Sequence, residues 1–159
     1  MPAAEPPQDL DAQLEQLLGE FAQGNPPART REQVRSLARA TDVATSIGRY
    51  RLARLLGRCG AIDGDLREVM EAHDLALRAM AGHAPARRLA AELYDLQRVL
   101  QGQPQKFGTC SQPGSVMDVD PATTDSERAK WDLPSLAELR AAHERASDAA
   151  RTHDPGDRP

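Results

Sequence analysis

The 159-residue sequence predicts an all-α protein, and three observations carry that expectation. Alanine (26) and leucine (18) dominate, whereas Phe, Tyr and Trp together fill five positions, too few for the aromatic and β-branched content that strands draw on. Apolar residues recur at helical spacing along most of the chain. Between Pro27 and Pro85 lie 57 residues without proline, room for long uninterrupted helices.

The first helix is expected over 9–23, where Leu10, Leu14, Leu17, Leu18 and Phe21 form one stripe and the Gly24-Asn25-Pro26-Pro27 run ends it. A second begins at Thr30, since Thr30 and Gln33 have the form of a capping box. Its buried face starts with Val34, Leu37 and Ala38 and runs loosely to Leu55-Leu56, with a break near 46–48 and an end before Gly57 and Gly60. Asp65 caps a third helix whose stripe reads Leu66, Val69, Met70, Leu77 and Met80, with His73 on the same face. A fourth starts near Pro85 and carries Leu89, Leu93, Leu96 and Leu100 up to Gly102. Over 103–134 the periodicity is lost among Gly, Pro, Ser, Thr and Asp. So long a segment without helix inside a small domain is expected to be an ordered loop packed on helices three and four. Ser135 and Glu138 open a last helix reaching about 151. The domain organisation expected is one helical domain of four to five helices over 9–151, with disordered tails at 1–8 and 152–159.

Charge is uneven. Residues 1–28 carry five acids and no base, whereas 29–58 carry eight arginines against Glu32 and Asp42. The basic block has two readings: it packs beside the acidic first helix, or it meets a phosphate-bearing partner through Arg49, Arg51, Arg54 and Arg58. Without interleaved aromatics for base stacking, nucleic acid is the least favoured partner. No apolar run approaches a membrane span and no secretory leader is visible, so a cytoplasmic chain with reduced thiols is expected. Arginine exceeds lysine 18 to 2, which with the alanine content suggests a high-GC bacterial source.

Few residues invite chemistry. His73 on an apolar face needs a hydrogen-bond partner if it is a core histidine, and is a candidate general acid/base if it lines a pocket. Asp95 lies at comparable depth on the next helix, and Gln105 is the first loop residue able both to donate and to accept. The three are expected to meet. Cys110 is a loop thiol with no activating base apparent in sequence, so a non-catalytic cysteine is the favoured reading. The four histidines show no metal-ligand spacing, and no nucleotide-binding glycine motif occurs; neither metal nor cofactor is expected.

The residues Ala72-His73, Leu75-Ala76, Asp95, Gly102-Gln103-Pro104-Gln105, Phe107-Gly108-Thr109, Asp125, Glu127-Arg128, Trp131 and Leu133-Pro134 together resemble an uncharacterised bacterial helical family, catalogued as a domain of unknown function. Its pattern is AH-x-LA, an Asp-Arg pair, a G-x-PQ-x-[YF]GTQ loop and a closing D-x-ER segment, covering about 65–140 here. The chain departs from it at Leu96, where the family has Arg, and at Cys110, where it has Gln. The resemblance implies a polar site built on His73, Asp95 and Gln105, with Phe107, Thr109 and Cys110 as binding positions. The two departures favour a non-catalytic accessory or interaction subunit with a degenerate pocket and a protein partner. The alternative is a small cofactor-independent enzyme on a polar metabolite, in a setting such as a natural-product pathway, with His73 as acid/base and Asp95 orienting it.

Overall fold

Asp9 opens the first helix by accepting the Asp11 amide with its side chain (3.2 Å), and α1 runs Leu10–Ala22 with Leu14, Leu17 and Phe21 buried. The computed structural model describes residues 9–40, 43–110 and 118–152, of 150–152 the backbone only. The tails expected at 1–8 and 153–159 lie outside those residues; Thr152, expected in the tail, closes the last helix. All-α is the observed class, with seven helices and no strand among the described residues.

The seven exceed the four to five expected, for two local reasons. The anticipated second helix is two, α2 (Ala28–Ala40) and α3 (Ser46–Asp63). Thr45 makes the new start, its hydroxyl accepting the Gly48 amide at 3.0 Å. Thr30, expected as a cap, lies inside α2 and donates its hydroxyl to Glu20 at 3.1 Å. Further along, a short helix interrupts the expected loop. After α4 (Leu66–Ala79) and α5 (Ala86–Leu100) comes α6 (Asp125–Ala129), capped by Thr124 through the Glu127 amide at 3.2 Å. Thr124 and Glu127 stand at capping-box spacing, a local signal for this start. The last helix, α7 (Leu136–Thr152), has the box expected of it: the Ser135 hydroxyl accepts the Glu138 amide (3.2 Å) and the Glu138 carboxylate accepts the Ser135 amide (2.8 Å).

The Cα framework divides into two compact units between Leu93 and Tyr94, within the 9–151 span expected as one domain. In the first, α3 packs against α1, α2 and, most extensively, α4. It does not stop before its glycines as expected. It runs through Gly57 and Gly60 and ends at Gly64, whose φ of 68° is the left-handed conformation of a helix stop. Gly57 and Gly60 are contact points: a Cβ on Gly60 would lie 2.7 Å from Val69 Cγ2 and 2.9 Å from the Asp65 carbonyl, and one on Gly57 would strike Leu93.

The face of α4 turned to that seam is Val69, Ala72, Ala76 and Ala79, all fully buried. The larger residues predicted for the core stand beside it instead, Met70 50% and Leu77 39% exposed, and Leu66, His73 and Met80 half-buried. Small side chains win the interior because they let two helix backbones approach closely, and the bulkier ones are displaced to the flank. In α5, likewise, Ala86, Ala90 and Ala91 are fully buried, while of the expected stripe Leu93 is buried and Leu89, Leu96 and Leu100 are half-buried.

Much of the basic block is held inside this unit. Arg51 pairs with Asp11 (3.4 Å) and Glu15 (3.2 Å), and Arg58 donates to the Phe21 carbonyl (2.7 Å) at the end of α1. Arg35 bridges Asp63 and Glu68, which ties α2 to the α3–α4 turn. No helix among the described residues is long and apolar enough to cross a membrane.

Candidate functional site

The second unit is organised by one carboxylate. Gly102, at φ 69°, terminates α5, and the chain turns so that residues 104–110 return alongside the helix end. Asp95, two turns before that stop, is fully buried. Its Oδ1 accepts the amides of Lys106 (2.7 Å) and Phe107 (2.9 Å); its Oδ2 accepts the Thr109 amide (2.8 Å) and hydroxyl (2.7 Å). An ionised carboxylate has about four acceptor positions, and here four donors occupy them. Gly108, at φ 74°, supplies the left-handed turn that aims these amides at one acceptor pair.

Gln105 closes the loop on itself. Its amide donates to the Cys110 carbonyl and accepts the Cys110 amide, both at 2.7 Å. Its backbone takes a bridge from the returning chain, donating to the Asp118 carbonyl (2.9 Å) and accepting the Asp120 amide (2.7 Å). Residues 111–117 of the expected loop lie outside the described residues. Phe107 is buried between Tyr94 and Trp131, with ring centroids 6.3 and 5.8 Å away.

Arg128 holds the other side of Phe107. Its guanidinium donates to the Phe107 carbonyl and to the Pro134 carbonyl (2.7 Å), with Asp125 at 3.9 Å. The side chain is 1% exposed, Nη2 has no hydrogen-bond partner, and burial lowers its pKa from the usual arginine value. The Phe107 backbone is therefore held at its N–H by Asp95 and at its C=O by Arg128, two successive peptide groups fixed from opposite sides. The resemblance placed Arg128 in a motif but gave it no role. A helical residue next to no apolar stripe offers no periodic signal of burial, so only the motif could have singled it out.

Asp95, Gln105, Phe107, Thr109 and Cys110 thus come together in the second unit. His73 belongs to the first. It is half-buried on α4, where burial pushes its imidazole pKa below the usual value while the neighbouring Asp74 charge opposes the shift. The two cysteines form no disulfide. Cys59 is fully buried in α3, and desolvation pushes its thiol up to about 11, far from thiolate chemistry. Among the described residues no group of His, Cys, Asp and Glu is assembled to hold a metal ion.

These observations define a class by structure: an all-α protein whose interhelical loop is clamped by a buried carboxylate and a buried guanidinium. Comparison with known proteins yields no matching family model, no matching curated protein and no matching solved structure.

Proposed function

We propose that the protein is a non-catalytic interaction subunit of the bacterial cytoplasm that binds a protein partner. One observation carries this reading. Asp95 and Gln105, the residues a catalytic centre would need available, spend their polar atoms on the loop backbone: four bonds to one carboxylate and two to one amide. A group with no acceptor position to spare is a frame for a loop, and it would have to abandon that loop to touch a substrate. The flank of α4, with Met70 and Leu77 exposed on either side of His73, supplies an apolar face for a partner.

The enzyme reading keeps one support, His73. A half-buried imidazole with a lowered pKa is neutral at pH 7 and has the form a general base requires.

Two variants of the tagged full chain in its native host separate these readings. The double change Met70→Glu, Leu77→Glu is expected to release the chain from a larger complex, seen as a shift to monomer size on native gel filtration. His73→Gln is expected to leave the complex and the cell's metabolite profile unchanged. A wild-type chain that runs alone, together with a metabolite lost in His73→Gln, would overturn the subunit reading in favour of the enzyme.

A further inference from the structure

The first unit contains a cleft of about 210 Å³ between α3 and α4, with Val43, Leu52 and Leu75 among its apolar lining and Arg49, Glu71, Asp74 and Arg78 as its charged groups. Val43 and Leu52 are nearly inaccessible, which makes the floor dry. Glu71, Asp74, Leu75 and Arg78 are spaced i, i+3, i+4 and i+7, one face of α4. The α3–α4 register follows from Gly60 against Val69 and Gly57 against Ala72, an antiparallel pairing in which earlier residues of α3 meet later residues of α4. Arg49, near the start of α3, therefore stands at the Arg78 end. The charge changes sign along the cleft: Glu71 and Asp74 stand about 10 and 6 Å along the helix axis from Arg78, with Arg49 at the Arg78 end.

These four charges make no ion pair among the described residues. Elsewhere in the same unit Arg31 pairs with Asp63 (3.2 Å), Arg51 with Asp11 (3.4 Å) and Glu15 (3.2 Å), Arg39 with Glu32 (2.6 Å), Arg88 with Glu92 (3.0 Å), and Arg35 with Asp63 and Glu68. Asp74 and Arg78 have the i, i+4 spacing and order that close readily on a helix, yet both face the cleft without pairing. Glu71 and Asp74, at i, i+3, repel one another, and Arg49 and Arg78 share the opposite end. Glu71, Asp74 and Arg78 are exposed and Arg49 is half-buried, so all four charges stand open to a ligand. A ligand with an ammonium at one end and a carboxylate at the other relieves both like-charge clusters at once.

We propose that this cleft is a binding site for a small zwitterionic metabolite of the amino-acid type, its ammonium held by Glu71 and Asp74, its carboxylate by Arg49 and Arg78, and its carbon chain against Val43, Leu52 and Leu75. The site is independent of the loop clamp and of the subunit reading above.

The test uses the full chain and 6-aminohexanoate, which carries the two charges at opposite ends of a methylene chain, with hexanoate and hexylammonium as single-charge controls. Isothermal titration calorimetry is expected to show saturable binding of 6-aminohexanoate with a dissociation constant of about 1 mM or below, and at least about tenfold weaker binding of either control. Arg49→Gln and Asp74→Asn, each checked for an unchanged helical circular dichroism spectrum, are expected to weaken the zwitterion to the level of the controls. Leu52 and Leu75 methyl resonances should move on titration in the wild type. Equal binding of all three probes, binding indifferent to both substitutions, or no binding of 6-aminohexanoate would each overturn the proposal.

Discussion

The two units reach a fixed structure by opposite means. The first is a seam of small residues: Gly57 and Gly60 on α3 against Val69, Ala72 and Ala76 on α4, where stability comes from backbones brought close and apolar surface removed from water. The second turns on a buried anion that collects three backbone amides and a hydroxyl, backed by a buried cation that takes the carbonyl of Phe107. Dispersion over a seam is shared among many contacts, so any one loss is moderate. A carboxylate with four donors concentrates the same task in one side chain, and its removal strands every donor it held.

The contrast is broken most directly at Asp95. Asp95→Ala leaves buried donors without an acceptor and is expected to cost at least about 3 kcal/mol. Trp131, the single tryptophan, touches Phe107 and reports on this loop, so urea denaturation followed by its fluorescence measures the loss. A change below about 1 kcal/mol would mean that the clamp is dispensable.

Gly60→Ala probes the seam. The added methyl meets Val69 and the Asp65 carbonyl, neither of which can yield without moving α4, and overpacking of this kind costs about 1–3 kcal/mol. Thermal unfolding followed by circular dichroism should show it; an unchanged or raised melting temperature would show the seam to be looser than the contact distances imply.

Gln105→Ala removes two hydrogen bonds to Cys110 and is expected to cost about 1–2 kcal/mol, less than Asp95→Ala because the freed Cys110 groups are only half-buried and can turn to water. If it equals Asp95→Ala, the loop is held by its own closure and not by α5.

The smallest effect sharpens the first unit. The folded state holds the His73 pKa below the unfolded value of about 6.5, so the unfolded chain binds the extra proton first. Stability contributed by His73 is complete above that value and falls as pH drops through it toward the folded pKa. Denaturation midpoints between pH 5 and 8 should therefore rise with pH, and His73→Gln should flatten that rise. An unaltered slope in the variant would assign the dependence to other groups.

Sequence and structure agree at most local signals, although the Thr30–Gln33 box does not form and Thr30 bonds Glu20 instead. Asp9, Asp65 and the Ser135–Glu138 box mark helix ends because a side chain two or three residues from an amide has little choice of partner. Periodicity established helix content but misassigned the interior of α4. Met70 and Leu77 are more hydrophobic than Ala72 and Ala76, yet the seam selects for size, and size matters only once the glycines of the facing helix are known. The loop was legible where periodicity is lost, but its bonding was not: Asp95 lies between apolar positions, and nothing in a one-dimensional pattern shows that its partners are amides eleven to fourteen residues away. Arg128 illustrates the limit, since a long cation in a polar helix reads as solvated and is among the most buried side chains of the chain.

One property of the clamp reaches beyond stability. Three of the four donors to Asp95 are peptide N–H groups, which every residue but proline possesses. The anchor therefore takes only backbone from positions 106 and 107, and depends on identity at Gly108 for the turn and at Thr109 for the hydroxyl. Lys106 uses that freedom: its ammonium pairs with Glu127 (2.7 Å) while Asp95 holds its amide. Substitutions at position 106 that give up that ion pair would keep the backbone clamp in place.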